Sequence, residues 1–266
     1  MKFRLQQIIL LLLIPALTHC DKSNESDFYY ATDAAFAQEI LNAIFTIVVQ
    51  QNTAKSSEFD IFNCFNVNSE QLSKNNYKTC IDFSENGCPD INSNLLKGKI
   101  YLESSGNWYL TGSTTLITFV NFSRNNQKIN GIINIKYNAR ITDTTGIHPQ
   151  FIMEVQNLNI LFEDSTSIQF SGTQKITWRK GFYSSDLFDK TIEISSIITG
   201  TNRRKNIFTY NSEKLVFPFT CLYTTEGIVN VTKENNKQIV FDYGKKLCDR
   251  KIILYQKGAA IEFDAY

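Results

Sequence analysis

The chain contains very little histidine, tryptophan, methionine and proline. Its 266 residues include two histidines, two tryptophans, two methionines and four prolines. His19 lies just after an N-terminal apolar run. His148 is therefore the one histidine in residues 20–266. A single histidine excludes metal sites that need two imidazole ligands. Because Pro149 follows it, we interpret His148 as a residue of an exposed turn.

The motifs of several common enzyme classes are also absent. The sequence has no Gly-x-Ser-x-Gly elbow, no phosphate-binding Gly-x-x-x-x-Gly-Lys and no Gly-x-Gly-x-x-Gly fingerprint. The 27 basic and 26 acidic side chains nearly cancel, which gives no electrostatic reason to expect a nucleic-acid partner. We therefore expect no cofactor, no bound metal and no nucleic acid.

Residues 1–19 have the pattern of a secretory signal peptide. Lys2 and Arg4 provide the positive start, and an apolar run of ten residues from Ile8 to Leu17 follows, broken only by Pro15. A membrane-spanning helix needs about 20 apolar residues, so this run is too short to span a bilayer but suits a signal-peptide core. The alternative is a buried N-terminal helix. No other segment is predicted to span a membrane.

Cys20 is the predicted lipidation site. Leu17 and Thr18 precede it as in a bacterial lipobox, where the cysteine receives a diacylglyceryl group and the peptide is cut before it. His19 departs from the small residue usual at that position. The alternative is an ordinary signal peptide that happens to include a cysteine. The polar residues after Cys20 predict a tether over 20–31, which joins the lipid to the folded body.

The stretch 32–52 predicts an amphipathic helix. Its apolar residues recur at spacings of three and four, which places them on one face; they are Phe36, Ile40, Ala43, Ile44 and Ile47. A polar stripe lies opposite, formed by Glu39, Asn42, Thr46 and Gln50. We expect the apolar face to pack against a sheet.

Residues 58–266 alternate between apolar and polar side chains, which is typical of strands. Turn signals separate the runs, among them Gly106-Asn107, Asn125-Asn126 and Asn235-Asn236. A change of phase near Gln156-Asn157 predicts a β-bulge. The fold class is therefore mainly β, with one N-terminal helix. The strands form either an antiparallel meander in a curved sheet or a sandwich.

Five cysteines remain if Cys20 carries lipid, and an exported chain would oxidise close pairs. Cys221 with Cys248 is the preferred disulfide, because Cys221 follows an apolar strand pattern and the two lie in one hairpin region. Cys64 with Cys88 is the second pair and would leave Cys80 free. Cys80 with Cys88 stays open as an alternative. Metal ligation by Cys80 and Cys88 is disfavoured, because their spacing fits no tight zinc motif.

Four stretches resemble a group of Bacteroidota envelope lipoproteins. They are the N-terminal cysteine with its acidic tether and helix, then Ile81-Asp82-Phe83 to Lys97-Gly98-Lys99, then Lys175-Ile176-Thr177-Trp178 with Ile198-Thr199-Gly200, and finally Cys221 with Asp242-Tyr243-Gly244 and Leu247-Cys248. The resemblance implies a shared β-rich fold and a lipid-anchored place in the bacterial cell envelope, at the outer membrane. It implies no reaction and no catalytic residues.

These observations leave three functions open. The leading hypothesis is a non-catalytic envelope lipoprotein, held to a membrane by lipid on Cys20, with a structural or interaction role toward an envelope protein or a glycan. The second is a glycan- or lipid-binding β module, in which Trp108 or Trp178 would stack on sugar rings. The third is a hydrolase that uses a carboxylate pair, either Glu163 with Asp164 or Asp186 with Asp189. Arg203-Arg204-Lys205 is interpreted as a charged turn.

Overall fold

The computed structural model describes residues 22–53, 64–90, 92–245, 248–256 and 258–264. Strands account for 61% of the chain, and one helix precedes them. The predicted fold class, mainly β with an N-terminal helix, is confirmed. The predicted signal peptide over 1–19, the lipidation site Cys20 and the first predicted β residues, 58–63, lie outside the described residues.

The helix α1 spans Lys22–Thr53, and it is longer than the sequence predicts. The expected boundary at residue 32 and the expected tether over 20–31 are wrong for residues 22–31, which are helical. The helix extends because residues 27–31 include core positions. Tyr30 and Ala31 are buried, and the Asp27 carboxylate accepts hydrogen bonds from Lys233 and Gln256.

Fourteen strands follow the helix. In chain order they are β1 (Asn66–Ser73), β2 (Asn76–Asp82), β3 (Cys88–Pro89), β4 (Leu95–Ser105), β5 (Thr114–Arg124), β6 (Gln127–Asp143), β7 (Gly146–Leu161), β8 (Ser167–Lys180), β9 (Thr191–Thr201), β10 (Ile207–Pro218), β11 (Glu226–Lys233), β12 (Gln238–Lys245), β13 (Lys251–Gln256) and β14 (Ala259–Asp264). A short 3₁₀ turn, Leu187–Asp189, lies between β8 and β9.

All strands belong to one antiparallel sheet, and each strand pairs with its neighbour in the chain. The two-residue strand β3 lies off this path and pairs with β4 alone. The meander alternative is therefore confirmed and the sandwich alternative is wrong. The sheet does not close, so β1 and β14 are its two edge strands.

The sheet curves around α1, and the helix is buried on every side. Ile40, Leu41 and Val49 are fully buried, although they point in different directions from the helix axis. The predicted polar stripe does not face solvent, since Asn42 and Thr46 are also buried. The prediction of an amphipathic helix is therefore wrong. Periodicity alone could not reveal this, because the stripe is matched by polar partners inside the sheet.

The segment Asp27–Asn52 of α1 is long and apolar enough to cross a membrane by length and composition. The expectation that no segment after the signal peptide has this length and composition is therefore wrong. In the fold, 89% of its most apolar stretch is buried inside the protein, as in the core helix of a folded domain.

Bulges bend the long strands. The predicted bulge is confirmed, because the register between β7 and β8 shifts between Val155 and Leu158, and Asn157 adopts a positive φ of 48°. A second register shift in β4 lies at Gly98, where φ is 80°. A Cβ atom at Gly98 would clash with the carbonyl oxygen of Asn121 on β5. Such bulges increase local twist, which helps a single sheet wrap around a helix.

Candidate functional site

An apolar cleft runs along α1 between two parts of the curved sheet that approach each other, and we call these two parts the wings of the sheet. We call the cleft the seam cleft. Its floor is the helix, its first wall comes from β3 to β6, and its second wall comes from the end of β10 and the following turn. The lining residues that define it are Ile40, Ala43, Ile44, Ile47, Leu96, Phe122, Ile129, Phe217 and Leu222, with Glu39, Arg124 and Asp90 as its charged groups. It is the kind of place where ligands bind, an apolar recess with convergent polar groups.

A buried ion cluster stands at the seam cleft. Arg124 donates from Nη2 to Glu39 Oε1 at 2.9 Å and from Nε to Asp90 Oδ2 at 3.4 Å. The Arg124 side chain is 5% exposed, so its two carboxylate partners compensate for its loss of water. Burial raises the pKa of Glu39, while the guanidinium of Arg124 opposes that rise. The cluster therefore links α1 to the first wing of the sheet.

A second recess shares Glu39 and Leu222 with the seam cleft and continues it toward β12. Arg250 lies over the Tyr223 ring, 5.5 Å from its centroid, and its guanidinium is 4.0 Å from Glu39. Tyr243 also lines this recess, and its buried hydroxyl has no hydrogen-bond partner among the described residues. Burial raises the pKa of Tyr243 well above its ordinary value. The hydroxyl is therefore a neutral donor at neutral pH.

Both recesses are narrow. The cavity volume is about 30 Å³ in the seam cleft and about 20 Å³ in its continuation. Space of about 10 to 15 Å³ by this measure is enough for one water molecule. In this closed conformation the site therefore has room for one or two waters and not for an organic ligand. A larger ligand requires the two wings to separate.

A buried polar network holds α1 in the sheet beside these recesses. Gln38 Oε1 accepts from Gln174 Nε2 at 2.8 Å and from Tyr210 Oη at 3.0 Å. Gln38 Nε2 donates to Asn42 Oδ1 at 2.8 Å, and Asn42 Nδ2 donates to Thr224 Oγ1 at 3.1 Å. The network links the helix to β8, β10 and the turn before β11, so it fixes the rotation of the helix.

Lys190 is a second buried charge, near the C-terminal end of α1. It follows the 3₁₀ turn and is fully buried, and its Nζ donates to the carbonyl oxygens of Gly181 and Ser184. The ammonium lies 5.7 Å from the centroid of the Trp178 ring. Burial lowers the pKa of Lys190 to about 8. These hydrogen bonds from a buried side chain therefore stabilise the loop between β8 and β9.

The structure places His148 on β7, 6% exposed, so its predicted position in an exposed turn is wrong. Its Nδ1 donates to the carbonyl oxygen of Trp178 at 2.9 Å. Its Nε2 lies 2.9 Å from Thr145 Oγ1 and 3.2 Å from Asp143 Oδ1. Because both ring nitrogens are engaged, His148 joins the turn before β7 to β8.

The cysteines pair as the preferred scheme predicts. Cys221 and Cys248 form one disulfide with a Cα separation of 5.2 Å, and Cys64 and Cys88 form the other at 5.4 Å. Cys80 is free, so the alternative bond between Cys80 and Cys88 is wrong.

The position of Cys221 differs from the expectation. The strand β10 ends at Pro218, and Cys221 lies in the following turn, half-buried, rather than on a buried strand face. The main chain reverses there because the Cys221 and Leu222 amides both donate to the Pro218 carbonyl. The disulfide with the exposed Cys248 therefore joins two loops at one end of the sheet.

The predicted carboxylate pairs lie in turns outside the seam cleft. Asp164 is exposed and accepts from the Thr166 amide at 2.9 Å, and hydrogen bonds from Thr166 lower the pKa of Asp164. Glu163 accepts from Asn126 at 2.9 Å. Asp186 caps the 3₁₀ turn, and Asp189 accepts from the Ser184 hydroxyl at 3.0 Å. Each acid thus stabilises a turn.

Within the described ranges, no group of three or more histidine, cysteine or acidic residues could hold a metal ion.

The two tryptophans belong to the core. Trp108 is 6% exposed and stacks on Phe151 with ring centroids 4.6 Å apart, and Trp178 is 1% exposed and packs on Phe182 at 5.3 Å. They close the end of the sheet where α1 finishes, beside Phe45. Neither ring offers a face for stacking on a sugar.

Sequence reasoning missed the residues of the seam cleft. The helical pattern places Glu39 in a polar stripe opposite the apolar face, and no sequence pattern singles out Arg124 or Asp90. Their chain separation explains this, because Arg124 lies 85 positions from Glu39 and 34 from Asp90. The one available signal was an acidic residue in the middle of a strongly apolar helix.

The chain matches no protein-family model, and no curated protein sequence and no solved structure is similar to it.

Proposed function

We propose that this protein is a lipid-anchored lipoprotein of the bacterial cell envelope, at the outer membrane, with a non-catalytic structural or interaction role toward an envelope protein or a glycan. The observation that carries the proposal is the position of α1. The helix begins at Lys22, two positions after Cys20, and is the buried centre of the fold. Lipid on Cys20 would therefore hold the folded body directly at a membrane, without a long linker.

Three buried or half-buried side chains of catalytic type in the described residues are engaged in holding the fold. His148 uses both ring nitrogens to connect β8 with the turn before β7. Glu39 shares Arg124 with Asp90. Lys190 donates to two carbonyl oxygens inside its loop. These contacts support an interaction role over a catalytic one, because a catalytic group needs a partner atom on its substrate.

The lipid anchor is tested by fractionation and by labelling with a radioactive fatty acid. We expect the natural chain to incorporate label and to sediment with membranes, since acyl chains contribute about 0.8 kcal/mol per buried CH₂. Cys20→Ser should lose the label and either leave the membrane or stay unprocessed. Cys80→Ser is the matched control, because Cys80 is a free thiol, and it should behave as the natural chain. Equal labelling of Cys20→Ser would overturn the proposal.

A second candidate function is lipid binding in the seam cleft, favoured by its apolar walls and the charged cluster beside them. An acyl chain would lie on Ala43 and Ile47 once the wings separate, with its polar head near Arg124. Titration with a fluorescent fatty acid tests this function. Ala43→Phe should abolish saturable binding because the ring fills the cleft. Binding that is unchanged in Ala43→Phe excludes the cleft as the site.

A further inference from the structure

The two ends of the molecule differ in their relation to Cys20. Near its start, α1 contacts the turns after β9 and β11: the ring of Tyr29 lies 3.7 Å from Arg204 Cζ, and Asp27 pairs with Lys233. Near its other end, Phe45 packs on Trp178. The helix thus runs along the strands, and its start lies at the end that carries the turns after β9, β11 and β13. We call this the tether end.

The chain between Cys20 and the folded body is very short. From Asp27 back to Lys22 the backbone is helical, and only Asp21 separates Lys22 from Cys20. A helix rises 1.5 Å per residue and consecutive Cα atoms are 3.8 Å apart, so the Cα atoms of Cys20 and Asp27 are separated by at most about 15 Å. A lipid on Cys20 therefore holds the tether end close to the membrane surface, with Asp27 no more than about 15 Å from the Cα atom of the lipidated residue.

Aromatic side chains cover part of the tether end. Phe28 is 36% exposed, and its ring packs edge to face on Phe263 of β14 at 5.0 Å and lies 6.3 Å from Tyr29. The Arg204 guanidinium covers the other side of Tyr29. We call these four residues, Phe28, Tyr29, Arg204 and Phe263, the aromatic patch. Ile261, two positions before Phe263 and 40% exposed, extends it. Aromatic rings beside arginine are typical of side chains that sit at a membrane–water interface.

Net charge at the tether end is close to balanced. Exposed Lys205 and Lys237 stand near exposed Glu234 and Asp164, and Asp27 is neutralised by Lys233. Attraction to anionic lipid would need an excess of basic residues near the surface. Contact with a bilayer would therefore depend on the aromatic rings, and it should change little with salt.

We propose that the aromatic patch docks on the phospholipid interface, so that the body stands on the membrane with α1 pointing away from it. This inference rests on the proposed function, because lipid on Cys20 brings the patch to the bilayer. The partner is the phospholipid bilayer itself. The rings lie among the headgroups, with the Arg204 guanidinium beside the Tyr29 ring. The opposite end, with Tyr183 65% exposed, then faces away from the membrane.

Quenching by brominated phospholipids tests this orientation. The lipidated full-length chain is reconstituted into phosphatidylcholine vesicles that carry bromine on the acyl chains near the headgroups. The reporters are Phe28→Trp at the patch and, as the matched control, Tyr183→Trp at the opposite end. Trp108 and Trp178 are buried near that opposite end and give the same background in both variants. We expect quenching of Phe28→Trp to exceed that of Tyr183→Trp by about twofold or more, because only the patch lies at the interface.

A second tryptophan reporter in the patch shows whether the result at residue 28 comes from a local structural change caused by that substitution. Phe263→Trp should be quenched like Phe28→Trp, and raising the salt concentration should leave both signals unchanged. Equal quenching at the patch and at residue 183, with the protein bound to the vesicles, overturns the docking inference and leaves the lipid anchor intact; the patch would then be open to a protein partner. Failure of the natural chain to bind vesicles at all contradicts the anchor itself. Vesicle flotation distinguishes these two results.

Discussion

Arg203 donates two hydrogen bonds to Asp33, a residue 170 positions earlier in the chain, from its backbone amide to Oδ2 at 2.9 Å and from Nε to Oδ1 at 2.7 Å. The Asp33 side chain is fully buried. Burial raises the pKa of Asp33 more than the hydrogen bonds and charge of Arg203 lower it. The folded state therefore binds the Asp33 proton more tightly than the unfolded state, and its contribution to stability falls as the pH rises through this raised pKa.

Arg203→Gln should destabilise the protein more at pH 8 than at pH 5. Without the guanidinium, the pKa of Asp33 rises further, and at pH 8 the fold must bury a charge or take up a proton. We expect a loss of about 2–4 kcal/mol in the free energy of unfolding at pH 8, and less at pH 5. Urea unfolding at both pH values measures this. In the control, Arg203→Gln with Asp33→Asn, the extra pH dependence should vanish; its persistence would contradict the assignment to Asp33.

Gln38→Leu should cost about 2–4 kcal/mol, because it leaves Gln174, Tyr210 and Asn42 buried without their partner. Gln174→Leu added to it removes one of the orphaned groups. The double variant should therefore be more stable than the sum of the two single losses predicts. A double-mutant cycle from chemical unfolding measures the coupling. Additive losses would show that the hydrogen bond between Gln38 and Gln174 contributes nothing.

The pH dependence of Lys190 should have the opposite sign to that of a surface lysine in an ion pair. Its folded-state pKa of about 8 lies below the unfolded value, so the fold prefers the neutral amine. Stability relative to Lys190→Met should rise by up to ~3 kcal/mol as the pH increases from 8 toward 10.4, where the unfolded lysine also loses its proton. Thermal unfolding of both proteins across this range measures the difference. A difference that is flat with pH would contradict the lowered pKa.

His148→Ala should reduce stability, in contrast to the turn position predicted from sequence. The change leaves the Trp178 carbonyl without its donor and opens a space beside Thr145, at a cost of about 1–3 kcal/mol. The melting temperature measures the loss. His148→Asn, which can still donate a hydrogen bond, is the matched control and should lose less. Equal stability of His148→Ala and the natural chain would refute the structural role.

Each disulfide should be recoverable by peptide mapping without reduction. Cys64 should be linked to Cys88 and Cys221 to Cys248, while Cys80 alone among these five is alkylated. The loops close over sequence separations of 24 and 27 residues. Chain entropy then gives a stabilisation of about 3.5 kcal/mol per bond, so Cys221→Ala with Cys248→Ala should lower stability by that order. Alkylation of Cys221 in the native protein would exclude its bond.

Alternation and turn residues predicted the meander well, because nearly every pairing in this sheet joins strands that are adjacent in the chain. The exception is β2 with β4, which lie on either side of the two-residue strand β3 in the chain. The bulge at Asn157 was predictable for the same reason: a change of phase within a strand is a local signal. The boundary of α1 was not predictable. Asp27 and the other polar residues before Thr32 suggest a solvated tether, and only the distant Lys233 and Gln256 give Asp27 a buried role.

The seam cleft was beyond sequence reasoning for a related reason. Glu39 and Asn42 form a polar stripe in any helical projection, and solvent exposure is the ordinary interpretation of such a stripe. Their true partners, Arg124 and Thr224, come from opposite wings of the sheet. The curvature that brings these wings together is a property of the whole sheet and leaves no local pattern.

The order in which the fold can assemble follows from the central place of α1. The sheet can grow one hairpin at a time, because each strand from β4 onward pairs with the one before it. The helix is synthesised first, yet Asp27 finds its partners 206 and 229 positions later, at Lys233 and Gln256. Its apolar surface thus stays partly uncovered until the last hairpins form, an interval in which the chain is prone to aggregate. The helix that precedes every described strand in the chain is thus the last element to be shielded from water.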